Sequence, residues 1–123
     1  MSQDILLKIS DCLKKQNVKI SEKKIEVLLN LLSLYKIDDI IYPGLLIRKL
    51  NLKMNEVYII LETIESLNII ERNFEVYCST GKKSTGAIYR TIRDIPSDLL
   101  CEECGKEIDP MEDTIIVYRM LVK

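Results

Sequence analysis

The sequence predicts a mixed α+β fold, helical in its first half and strand-forming after it. Three observations carry this reading. Between Ile5 and Leu67, apolar residues recur at helical spacing in four segments. From Phe74 to Cys78 they alternate instead, and after the turn-rich run Ser79 to Gly86 the chain is β-prone again from Ile88 to Ile92. The stretch Thr114 to Val122 reads as a final strand. With 123 residues, 47% of them hydrophobic, there is enough chain for one domain with a real core and too little for two ordinary ones.

Each element has its own local signal. Ser2 is placed to cap a first helix whose apolar residues Ile5, Ile9, Cys12 and Leu13 leave Lys8, Asp11, Lys14 and Lys15 on other faces. Ser21 is a second N-cap, with Glu22 in the first turn, where an acid suits the helix dipole. From Ile25 to Tyr35 only Glu26, Asn30 and Ser33 interrupt the apolar run, which reads as a central core helix or as a protein interface. Ile40 to Tyr42 is a short β-prone piece before Pro43-Gly44, and Leu45 to Leu50 suits a short helix. Asn55 is the expected cap of the next helix, in which Val57, Ile60, Leu61, Ile64 and Leu67 keep a helical rhythm until Asn68 breaks it.

Composition narrows function. The net charge of -1 and a pI near 5.6 give no general attraction to nucleic acid. No run of roughly 18 apolar residues is present to span a bilayer, and the first residues lack the basic start of a signal peptide, so a cytoplasmic protein with no membrane partner is expected. The chain has no histidine, which removes the usual Ser/His and Cys/His nucleophilic arrangements. Asp38-Asp39 and Glu102-Glu103 are adjacent carboxylates, which point to different faces and make no acid/base dyad. No enzyme is expected.

The order of helix, short strand, short helix, turn, helix and hairpin resembles the winged helix-turn-helix superfamily from about Ser21 to Arg93. The stretch from Leu45 to Glu71 carries the likeness. The resemblance implies an N-terminal helix (1–20), a winged-helix core (21–93) and a small C-terminal β extension (94–123), packed as one domain. It also implies that the Asn55 to Leu67 helix is the recognition helix, with Asn55, Tyr58, Ile59, Glu62 and Ser66 on its outer face. No lysine or arginine follows Lys53 on that helix, and Glu56, Glu62 and Glu65 bring the wrong sign to phosphates. An exposed Tyr58 and Ile59 beside carboxylates suit a protein partner.

A non-enzymatic adaptor or assembly subunit is therefore the expected function, binding a larger protein or a second copy of itself. Tyr58, Ile59 and Glu62 are the expected contacts, with Ile5, Ile9, Leu28 and Leu32 of the first two helices as further apolar surface. The alternative is a DNA-binding regulator that uses Lys53 in the turn before the recognition helix, Lys82 and Lys83 at the tip of the wing and Arg90 and Arg93 on its return strand.

Four cysteines complete the candidate residues. Cys12, on the apolar face of the first helix, reads as a small core residue. Cys101-Glu-Glu-Cys104-Gly105 resembles one zinc knuckle, in which two thiolates hold an ion and the glycine permits a tight turn. The matching second pair is missing, since Gly81 stands where a cysteine would follow Cys78. Either no cofactor or one structural zinc, held by Cys78, Cys101 and Cys104, is consistent with that pattern. A winged helix followed by such a tail is similar in domain order to the alpha subunit of general transcription factor E, here without its fourth ligand or any spacer.

Overall fold

The computed structural model describes residues 2–15, 20–78, 83–96, 99–100, 105 and 107–122, with backbone only for 83–86. Four helices and a four-stranded antiparallel sheet are present among them. They divide into two compact units, residues 1–71 with 118–123, and residues 72–117.

The helices belong to the first unit. α1 (Gln3–Lys15) begins where the Ser2 hydroxyl accepts the Ile5 N–H at 3.3 Å, with Asp4 in its first turn and Lys14 and Lys15 in its last. α2 (Glu22–Leu32) is capped by Ser21, whose hydroxyl accepts the Lys24 N–H at 3.2 Å. This helix stops three residues before the apolar run does. Ser33 turns the chain by donating to the Asn30 carbonyl, and the Asp39 carboxylate accepts the Lys36 N–H at 2.8 Å, stabilising a loop in place of another helical turn. Leu34 is consequently 76% exposed.

β1 (Ile40–Ile41) leads into α3 (Pro43–Leu50), which has proline at its start, where a missing N–H costs nothing, and left-handed Asn51 at its end. α4 (Met54–Ser66) starts one residue before the expected cap. Glu56 reaches back to accept the Lys53 N–H at 3.0 Å, so Lys53 takes the cap position and Asn55 lies inside the first turn. Its end is at the predicted place, with Asn68 left-handed at φ 62.

α1 packs on both α4 and α2, and α3 on α2 and α4. Ile9, Leu13, Leu28, Leu32, Leu46, Ile60, Leu61 and Ile64 are fully buried. The C-terminal strand, β4 (Thr114–Met120), belongs to this unit from Tyr118 on: Ile40 and Ile41 pair with Arg119 and Tyr118, and Tyr118 and Met120 are fully buried. Asp38 N–H donates to the Met120 carbonyl at 2.8 Å, and Met120 N–H to that of Asp39 at 2.9 Å.

The second unit is built on the hairpin of β2 (Ile70–Cys78) and β3 (Lys83–Tyr89). Phe74 pairs with Tyr89 and Cys78 with Lys83, and the register shifts between Glu75 and Tyr77, where β3 spends two extra residues. The sheet order is β1-β4-β2-β3. Val76, Cys78, Ile95 and Ile108 form this unit's core. Asn73, Glu75 and Asp113 are buried as well, so β2 does not keep one polar face as its alternation predicts. The Asp113 carboxylate accepts the Asp109 N–H at 2.8 Å and orders the loop before β4.

Tyr35, half-buried after α2, has its phenol raised above the ordinary 10.0 by burial first and then by the negative charge of Asp39. The folded state therefore keeps a proton that the unfolded chain loses first, and this contribution to stability is full below pH 10.0 and falls away as pH rises through the folded value. A spectrophotometric titration of the tyrosines should show a late-ionising component that Tyr35→Phe removes. Asp39→Asn should bring it part of the way back, and an unmoved profile would dismiss Asp39 as a cause.

Candidate protein-binding surfaces

The outer face of α4 is held rigid by its opposite side, where Val57, Ile60, Leu61 and Ile64 are locked in the core. That anchoring turns Asn55, Ile59, Glu62 and Ser66 outward, with Tyr58 half-buried beside them. Ile59 is 46% exposed, and Met54, which sequence periodicity did not single out, is 62% exposed at the helix start. No cationic side chain occurs between Met54 and Ser66. A surface of this kind gains by desolvating apolar groups against another protein and offers little to a phosphate backbone.

Of the cations proposed for nucleic acid, Lys53 belongs to the first unit and Arg90 and Arg93 to the second. Lys53 is exposed at the start of α4. Lys82 and the side chain of Lys83 lie outside the described residues. Arg90 and Arg93 are not on the return strand as expected: β3 ends at Tyr89, and Arg93 sits in a single 3-10 turn, Ile92–Asp94, closed by an Ile95 N–H to Ile92 carbonyl bond of 3.1 Å. The Arg90 guanidinium is turned back to donate to the Arg72 carbonyl at 2.9 Å.

The expected apolar interface on the first two helices needs a correction. Ile9, Leu28 and Leu32 are fully buried, because α1 folds back over α2 and α4 within one chain, while Ile5 is half-buried. What remains outside is a groove of about 350 Å³ between α1 and α2. Leu6, Leu7, Ile25 and Leu29 give it an apolar floor, and Lys14 meets Glu22 across one end at 3.9 Å. Leu7 is 56% exposed at its rim. Leu7 lies beyond the apolar face that periodicity marks on α1, and its offset from Ile9 and Leu13 on the helical wheel is the signal that identifies it.

Cys78 is 2% exposed in the apolar core of the second unit, and Cys12 is half-buried. Cys101 and Cys104 lie outside the described residues. In the described residues on either side, Leu100 bridges Glu107, the Ile108 N–H donates to the Leu99 carbonyl at 2.9 Å, and Gly105 takes the left-handed φ of 71 that glycine tolerates. Among the described residues no group of three acidic or cysteine side chains is arranged to hold a metal.

No helix among the described residues is long and apolar enough to cross a membrane. No family model, curated protein or solved structure matches this chain.

Proposed function

We propose that the chain is a non-enzymatic adaptor of winged-helix type that binds a larger protein through the outer face of α4. The observation that carries this reading is the composition of that face: Ile59 and Met54 are exposed beside Tyr58 and Glu62, on a helix without a single lysine or arginine. Burying such side chains against water stabilises a protein complex by roughly 1–2 kcal/mol for each apolar anchor. At a phosphate backbone the same face offers no cation to release the condensed counterions. The order α2, β1, α3, α4, β2, β3 supports the winged-helix part of the reading. One departure is that β1 pairs with β4, from beyond the stretch that resembles the superfamily.

Two measurements decide between this function and a DNA-binding regulator. In a mobility-shift titration against mixed duplex DNA at physiological salt, the native chain is expected to bind no tighter than non-specific affinities, and Glu62→Arg to bind several-fold tighter. Nanomolar duplex binding lost on changing Asn55 or Tyr58 would sink the proposal. In affinity capture from the native host, Ile59→Asp should release the retained partner while leaving the melting temperature unchanged; an identical set of captured proteins would place the contact elsewhere.

A further inference from the structure

The groove between α1 and α2 is separate from the α4 face, and its surroundings state what fits it. On the helical wheel of α1, Ile9 and Leu13 point into the core, and Gln3, Leu7, Ser10 and Lys14 form the ridge along the groove. On the side of that ridge away from α2, the exposed residues Asp4, Lys8, Asp11 and Lys15 form a second stripe at spacings of four, three and four. Its charges alternate in sign. Such a stripe repels an identical helix laid parallel and in register, because every charge then meets its own kind. Laid antiparallel about a two-fold axis, with Asp4 opposite the copy's Lys15 and Lys8 opposite the copy's Asp11, all four contacts are attractive.

From this self-complementary pattern beside a half-exposed leucine, we propose that a second copy of the chain occupies this surface, with the two α1 helices antiparallel about an axis level with Ile9 and Ser10 and Leu7 covered by the copy. The two-fold axis brings each flank of α1 against the same flank of the copy. On one flank the charged stripes meet; on the other, the incoming helix covers Leu7 and closes the open side of the apolar groove formed with Ile25 and Leu29. An acid four residues before a base also supports α1 within one chain. Yet the described residues form no ion pair at Asp4, Lys8, Asp11 or Lys15, which leaves these charges available to a neighbour.

Sedimentation equilibrium of the full chain tests this directly. One helix per chain makes a small interface, so the expected dimer is weak, with a Kd on the order of tens of micromolar. Leu7→Gln changes an exposed side chain and should leave the melting curve of the monomer in place while raising Kd about a hundredfold, because two leucines leave the interface. Lys8→Glu should raise Kd roughly tenfold, by setting like charges opposite each other twice. Adding Asp11→Lys to that variant should bring Kd back to within about threefold of the native value. A chain that stays monomeric to hundreds of micromolar overturns the proposal, as does a dimer indifferent to Leu7→Gln or a charge swap that fails to rescue. Ile59→Asp should leave the dimer intact, so the α4 reading and this one stand or fall separately.

Discussion

A chain ended after Arg93 is expected to lose cooperative folding of its helical unit. The winged-helix resemblance closes at that residue, yet Tyr118 and Met120, far beyond it, are fully buried, and β1 has its ladder partner in β4. Truncation removes two core side chains worth about 2 kcal/mol each. It also deletes the bonds that link Asp38, Asp39 and Ile69 to Met120 and Leu121, each worth about 1 kcal/mol. Together the loss approaches roughly 7 kcal/mol, comparable with the entire stability of a small domain. The truncated chain should therefore show no cooperative thermal transition in far-ultraviolet circular dichroism. A sharp melt with native helix content would show that β4 is an accessory and that residues 21–93 are self-sufficient.

The second large effect separates core from surface on one hydrophobic stretch. Leu28→Ala should lower the unfolding free energy by about 3–4 kcal/mol, because Leu28 is fully buried where α2 meets the rest of the first unit and its removal leaves a cavity. Leu34→Ala, six residues later in the same apolar run, should change it by less than about 0.5 kcal/mol, because the side chain is mostly in water. Urea denaturation of both variants, compared at unchanged m-value, measures the contrast. Equal costs would mean that residues 33–35 continue the helix and that Leu34 packs as Leu28 does.

Local signals located most elements well. Ser2, Ser21 and Asn68 mark helix ends because their side chains or backbone satisfy groups that the helix leaves unpaired, a requirement visible in a few adjacent residues. The predicted cap at Asn55 fails for an equally local reason: Glu56 competes for the same turn and shifts the start to Lys53. The end of α2 was not legible, since the loop that stops it draws on Asp39, beyond the apolar run.

The candidate surfaces divide in the same way. The lack of cations on α4 is a property of the sequence and needs no coordinates. The exposure of Leu7, the burial of Ile9, Leu28 and Leu32, and the insertion of β4 between β1 and β2 are not. Hydrophobic periodicity tells a helix which face to hide, but it carries no address for the element that will cover it. By itself, then, the sequence determined the helices, the hairpin and the charge of each face. The tertiary structure alone decided which apolar residues are spent inside and which remain for a partner, because burial depends on contacts between segments as distant as Ile41 and Tyr118.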